Sequence, residues 1–258
     1  MAGTVRGKTG AFPVIFFDLG NTLLYYQGDR VAIELDAYEV AARTLNANGF
    51  DIPVKKLLKR FQKEMQSYYH RRNTTWIEET TVNQLRNLLE EFGYSNIPHL
   101  QLRKALDKMY YVTEPYWQLD PDTHECLQKL TTAGCHLGLI SNASDAPNAF
   151  RLIRKHNLGQ YFQVTLVSSI VGYRKPHEQI FNVALRSCPD ISKDDIYMVG
   201  DLVSTDVIGG NKSGIKTIWL SKYAELGDEK EIDPIAKPDI VLTDLKQLTN
   251  WFMKTYHF

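Results

Sequence analysis

Val14-Ile15-Phe16-Phe17-Asp18-Leu19-Gly20-Asn21-Thr22-Leu23 is the stretch on which the reading of this chain turns. Four apolar residues without alternation run into a carboxylate, and then into Gly-Asn-Thr. A strand with one wet face alternates apolar and polar residues. A run that is apolar at every position fits a strand covered on both faces, as in a parallel sheet. Asp18 then stands at the carboxyl end of that strand, at the start of a turn.

The same signature recurs downstream. Leu137-Gly138-Leu139-Ile140, Val164-Thr165-Leu166-Val167, Ile196-Tyr197-Met198-Val199, Thr217-Ile218-Trp219-Leu220 and Ile240-Val241-Leu242 are short and nearly continuous in apolar character. Helical patterns fall between them, over residues 122–133, 146–155, 177–187 and 206–213. This alternation predicts an α/β fold with a doubly wound parallel sheet. One long stretch departs from it. Val31, Leu35, Tyr38, Ala42 and Leu45 follow helical spacing. So do Val54, Leu57, Leu58, Phe61 and Met65, then Val82, Leu85, Leu88, Leu89 and Phe92, then Leu102, Leu106, Met109 and Tyr110. Turn residues at 48–49, 51–53 and 93–98 punctuate these segments. Residues 1–27 and 116–258 are therefore expected to form the core, with residues 28–115 an all-helical domain inserted after the first strand.

Composition bounds the partners. Hydrophobic residues make up 43% of the 258, which is enough for a sizeable core and excludes general disorder. Thirty Lys and Arg balance thirty Asp and Glu, so the basic excess of a duplex-DNA binder is absent. No apolar run approaches the roughly 18 residues of a membrane span. Residues 1–11 lack the apolar stretch of a secretory signal. Cys126, Cys135 and Cys188 are odd in number and without CxxC spacing, so they read as reduced thiols. The expectation is a cytoplasmic protein with no nucleic-acid or membrane partner. Oligomeric state has no signature in the sequence.

In an open α/β sheet, ligands bind beyond the carboxyl ends of the strands where the winding reverses. Asp18, Ser141-Asn142 and Gly200-Asp201 follow three of the apolar runs, with Asp206 shortly after and Arg174-Lys175-Pro176 ahead of a helix. Taken singly, each reads more readily as a turn or a cap than as a functional residue. Taken together, they place three carboxylates at neighbouring strand ends, which raises their pKa values or demands a cation. Magnesium suits carboxylate oxygens and a phosphate. Lys175 and Ser141 supply positive charge and a donor for an anion. Such a set suits phosphoryl transfer, with Asp18 the nucleophile that forms an aspartyl-phosphate. For the carboxylates to converge, the Val14 strand must lie between those beginning at Leu137 and Ile196.

The four motifs, in this order and covering the chain from Val14 to about Trp251, resemble those of the haloacid dehalogenase-like hydrolases. Phe16 to Leu23 is similar to the first motif, Ile140-Ser141-Asn142 to the second, Tyr173-Arg174-Lys175-Pro176 to the third, and Gly200-Asp201 with Asp206 to the fourth. The helical insert corresponds to the family's cap, which closes over the site and sets substrate choice. The resemblance implies Mg2+ held by Asp18, the Gly20 carbonyl, Asp201 and Asp206. It also implies that Thr22, Ser141 and Asn142 hold the transferring group while Lys175 balances charge. Asn21, Gly20 and Arg174 complete the set expected to touch substrate. The implied activity is hydrolysis of a small phosphorylated metabolite. Family phosphatases carry a second aspartate two residues after the nucleophile as general acid and base, and here that position is Gly20. Loss of a positioned acid costs on the order of 10²–10⁴ in rate, so slow turnover is expected. A C–P or C–halogen hydrolase and a non-catalytic phosphate-binding protein stay open as alternatives. A phosphonatase needs a cap lysine, for which Lys55, Lys56, Lys59 and Lys63 are the candidates. Tyr25 and Tyr26 fall where a flap lies between core and cap. Arg71-Arg72 with Trp76 would suit a second anion and a ring if they faced the site. An exposed helix end with core aromatics is the plainer expectation for that segment. His177 is expected to begin a helix.

Overall fold

The computed structural model describes residues 12–224 and 233–257. Residues 1–11, whose lack of a signal-like stretch was an expectation above, lie outside them. The chain opens with β1 (Val14–Phe17), β2 (Leu24–Tyr26), α1 (Arg30–Ala47), α2 (Val54–Thr75), α3 (Thr81–Glu91), α4 (His99–Thr113) and β3 (Trp117–Leu119). It continues with α5 (Thr123–Thr132), β4 (His136–Ser141), α6 (Ala146–Lys155), β5 (Val164–Val167), α7 (Ser168–Val171) and α8 (Glu178–Leu185). Then follow β6 (Ile196–Gly200), α9 (Ile208–Ser213), β7 (Lys216–Leu220), β8 (Ile240–Leu242) and α10 (Leu245–Thr255).

Six strands form one sheet in the order β5-β4-β1-β6-β7-β8. Every neighbouring pair in it is parallel. The expected placement of β1 between β4 and β6 is what the structure shows. The unbroken apolar character of β1 has a direct cause. Ile15 and Phe17 point into a cluster with Leu127, Leu139, Leu248 and Phe252 on one face. Val14 and Phe16 point into a second cluster with Ile180, Phe181 and Met198 on the other. Both faces are dry, so no position along the strand tolerates a polar side chain.

Between β2 and β3 the chain is all helix, and it has a hydrophobic core of its own. Leu45, Phe61, Tyr68, Leu88 and Leu106 lie in that cluster, apart from the two on the sheet. The apolar stripe expected on α1 is only partly right. Val31 is 70% exposed and Leu35 38%, while Ala37 and Ala41 are buried instead. Small residues let α1 approach its neighbour closely, so the packed face is set by alanines and not by the larger aliphatics.

Two strands escaped the sequence reading. β2 and β3 pair antiparallel, Leu24 with Leu119 and Tyr26 with Trp117. At three residues each they are too short to show a period. They form the flap at which the chain leaves and re-enters the core. Tyr25 stacks on Tyr223 with centroids 4.9 Å apart, and Tyr26 meets Trp117 edge-on at 5.1 Å.

Candidate active site

The switch point of the sheet lies at β1, because the chain winds outward from it through β4 and β5 on one side and through β6, β7 and β8 on the other. Asp18 follows β1, Ser141 ends β4 and Asp201 follows β6, so all three stand at that edge. Asp18 N donates to Val199 O at 2.9 Å, which carries the parallel pairing one residue past the strand. Trp219 Nε1 donates to the Asp201 carbonyl at 2.7 Å and fixes that turn from β7. A π turn, Val203–Val207, brings Asp206 back to the same edge. Its Oδ2 accepts from Leu202 N at 3.1 Å.

Oxygens of Asp18, Asp201 and Asp206 lie within 4.8 Å of one another, and all three residues are buried. Lys175 is 1% exposed. Its Nζ lies 2.5 Å from Asp18 Oδ1 and 2.7 Å from Asp206 Oδ1, and donates to Ile140 O at 2.7 Å. Burial pushes Asp18 up to about 6; Asp206 pushes the same way, and Lys175 opposes. Burial also pushes Asp201 up to about 8, helped by Asp18 and Asp206. Burial alone would depress the Lys175 ammonium, but Asp18 and Asp206 outweigh it and hold it above its ordinary value. With all three carboxylates ionised, one ammonium leaves two negative charges. That excess is the charge of one divalent cation, and Asp201 Oδ2 is buried with no hydrogen-bond donor. The donor set, all hard oxygens, fits Mg2+.

The remaining expected residues sort by position. Asp18, Gly20, Asn21, Ser141, Asn142, Arg174, Lys175, Asp201 and Asp206 line one cleft of about 600 Å³. Asn21 adopts φ 55°, the left-handed region that asparagine tolerates better than most residues. Thr22 does not line the cleft. It is buried, and its hydroxyl reaches Asp201 Oδ1 at 3.5 Å. The Asn142 side chain is occupied by the main chain of Lys175, accepting from its N at 2.8 Å and donating to its O at 3.0 Å. It therefore holds the lysine loop in place. Arg174 turns toward the cap, with its Nη1 at 2.8 Å from Glu78 Oε2 and 3.2 Å from Tyr68 Oη. His177 caps α8, its Nδ1 accepting from Gln179 N at 3.1 Å, which is the helix-starting role expected of it.

Several cleft residues carried no signal in the sequence. Trp117, Arg30, Asn73, Asn148 and Leu152 line it, and the sequence singles out none of them. Trp117 matters most. A Cβ built on Gly20 would lie 3.1 and 3.3 Å from carbons of its indole. The indole closes off the space that a side chain at position 20 would enter. Of the Arg pair, Arg72 lines the cleft, as does Trp76. Arg71 is held by Glu64 and Glu79 instead, at 3.0 and 2.9 Å. All three cysteines are buried free thiols. Among the described residues no helix is long and apolar enough to cross a membrane.

Comparisons with known proteins fit this geometry. The chain is 28% identical over 190 residues to the glyceraldehyde 3-phosphate phosphatase of Pyrococcus furiosus, covering 66% of this chain and 75% of that protein. The structure superposes on a 2-haloacid dehalogenase from Pseudomonas syringae pv. Tomato with a TM-score of 0.66 and 21% identity, covering 94% and 99% of the two chains. It superposes on YfnB of Bacillus subtilis, described in a magnesium-bound form, with a TM-score of 0.57 and 20% identity over 93% and 98%. At these identities the structural matches speak for the fold alone. A family profile described as haloacid dehalogenase-like hydrolase matches residues 12–214. With that match over most of its length, and with the carboxylates and lysine at the switch point of a capped parallel sheet, this chain belongs to the haloacid dehalogenase-like hydrolases.

Proposed function

We propose that the chain is a magnesium-dependent phosphatase that acts on a small phosphorylated metabolite through an aspartyl-phosphate on Asp18. The observation that carries this reading is the cluster of Asp18, Asp201 and Asp206 within 4.8 Å, with Lys175 bridging the first and last. Asp18, Asp201, Asp206 and the Gly20 carbonyl would hold the ion. When bound, Mg2+ supplies the charge neutralisation that lets a phosphate dianion approach a carboxylate.

The rest belongs to the chain's own residues. Lys175 keeps Asp18 ionised and adds positive charge where the phosphate sits. The Ser141 hydroxyl, which makes no hydrogen bond to protein among the described residues, is available to a phosphate oxygen. Thr22 acts by positioning Asp201. A carboxylate oxygen of Asp18 attacks phosphorus, and the ester P–O bond breaks with its electron pair leaving on the alcohol oxygen. That oxygen takes its proton from water, since position 20 offers no side chain. Water then attacks the phosphorus of the aspartyl-phosphate. Inorganic phosphate leaves, and Asp18 is restored as a carboxylate. Activated esters are therefore the better substrates.

The cap as residues 28–115 is part of the same reading. Gln27 N donates to Tyr116 O at 2.8 Å, where the chain leaves and returns. A phosphonatase finds less support. Lys56, Lys59 and Lys63 line a separate groove with Glu91 and Phe92, and neither they nor Lys55 line the cleft of Asp18. A dehalogenase has no use for the second and third carboxylates. The absent acid at Gly20 favours a protein that binds phosphate without turning it over, and the same assay separates the two. Hydrolysis of p-nitrophenyl phosphate, whose leaving group needs little protonation, is expected with Mg2+ and not with a chelator. Asp18→Asn should abolish it. No turnover, or an Asp18→Asn variant as active as the parent, rejects the phosphatase.

A further inference from the structure

The cap lends the cleft a guanidinium that no carboxylate among the described residues answers. Arg72 sits in the last turn of α2 and lines the same cleft as Asp18. Its guanidinium lies over the Tyr69 ring at 4.3 Å from the centroid and over the Tyr68 ring at 5.3 Å. A cation–π contact uses no hydrogen-bond acceptor, so it leaves the N–H donors of the guanidinium unspent. Nε is buried and has no hydrogen-bond partner. An unpaired buried donor is costly, so the site is built for an acceptor that the protein itself does not supply.

The neighbouring cations are all matched. Arg71 is held by Glu64 and Glu79, Arg30 by Glu34 at 3.3 Å, and Arg174 by Glu78 at 2.8 Å. Arg72 and Arg174 are near enough that Arg72 helps depress the Arg174 guanidinium, after burial, which is the larger cause. Two guanidinium groups on this wall thus face one carboxylate. The excess positive charge lies on the cap side of the cleft, and the excess negative charge lies at Asp18, Asp201 and Asp206. Trp76, Trp117 and Leu152 give the same cleft apolar wall.

We propose that Arg72 recognises a second anionic group, so that the preferred substrate is a small phosphomonoester that also carries a carboxylate or another phosphate. The first phosphate reacts at Asp18, and the second anion docks edge-on to the guanidinium with its charge-assisted hydrogen bonds. This rests on the phosphatase reading for the reaction at Asp18, but not for the binding.

Matched ligands test it on the Mg2+-loaded protein by calorimetry. One pair is 3-phosphoglycerate against glycerol 3-phosphate, which differ by a carboxylate. The other is fructose 1,6-bisphosphate against fructose 6-phosphate, which differ by a phosphate. The doubly charged member of at least one pair should bind about tenfold more tightly or better, and the pair that responds identifies the second anion. Arg72→Met keeps a long unbranched side chain and removes only the guanidinium. It should cut that preference to less than threefold through loss of affinity for the doubly charged ligand. Arg72→Lys should keep part of it. Equal preference in parent and Arg72→Met, or no preference in either pair, overturns the proposal. Calorimetry reads binding without turnover, so the two failures are distinguishable. Arg72-dependent preference with no hydrolysis of any ester would defeat the phosphatase alone. Hydrolysis of p-nitrophenyl phosphate without that preference would defeat the second-anion site alone.

Discussion

At the scale of single residues, Gly20 and Trp117 are one feature. Glycine at the second position after Asp18 offers no acid and also admits an indole. A Cβ there meets two carbons of Trp117 at 3.1 and 3.3 Å, tighter than an ordinary contact, so restoring the acid forces the ring aside. Gly20→Asp alone should cost about 1–3 kcal/mol through overpacking, read by chemical denaturation. Gly20→Asp combined with Trp117→Ala has room for the new carboxyl. It should raise kcat on an alkyl phosphate by about 10²-fold or more relative to Trp117→Ala alone, with little change on p-nitrophenyl phosphate. No gain on the alkyl ester would mean that leaving-group protonation does not limit turnover. The sequence showed that position 20 lacks an acid. It could not show what fills the space, because residues 20 and 117 are brought together by the pairing of β2 with β3.

At the scale of elements, the joint between cap and core is a short stretch of backbone pairing backed by a buried ion pair. Trp76 ends α2 with φ 57°. From there Trp76 O accepts from Arg174 N, and Glu78 N donates to Gly172 O, both at 3.0 Å. Thr81 N donates to Ser144 O at 3.0 Å on the next turn. Glu78 sits inside this joint with its side chain fully buried. It accepts from Arg174, from the Tyr68 hydroxyl and from Ser168 Oγ at 2.5 Å. The segment it grips immediately precedes Lys175, so the docked cap and the placed lysine share one support. Removing one member of a buried ion pair strands the other, at a cost of about 3–5 kcal/mol. Glu78→Gln should therefore lower the denaturation free energy by roughly that amount, and a loss below about 1 kcal/mol would show that the joint does not depend on the charge. Helix α2 was legible from its spacing, but Glu78 lies in a connection with no period. Two of its three partners are 90 and 96 residues away in sequence.

At the scale of the whole molecule, the sheet gathers more negative charge at its edge than Lys175 can balance, and metal binding should be visible as stability. A ligand that binds only the folded state stabilises it by about 2.7 kcal/mol at a hundredfold excess over Kd. Thermal denaturation with Mg2+ should give a higher Tm than with chelator, and Asp201→Asn should shrink the difference. The pH dependence has a definite sign. In the metal-free protein Asp18 and Asp201 are raised to about 6 and about 8 from an ordinary 3.8, so the folded state holds those protons more tightly than the unfolded chain. Stability from this source is full below about pH 4 and is lost as pH rises through 6 and then 8. The gap in Tm between Mg2+ and chelator should widen from pH 5 to pH 8, and a gap that narrows would contradict the cluster as a cation site. Much of this was fixed by local chemistry. The unbroken apolar runs within β1, β4 and β6 fit strands with two dry faces. A carboxylate or hydroxyl at the end of each could only gather at the switch point, so the alternation, the inserted helices and the convergence of Asp18, Asp201, Asp206 and Lys175 were written in the sequence. Tertiary structure alone decided the flap, the indole over Gly20, the spending of Asn142 on Lys175, the grip of Glu78 on Arg174, and which arginine of the pair faces the cleft. Those depend on side chains that come from segments far apart in sequence, and one-dimensional periodicity records which face of an element is apolar but not which partner it will find.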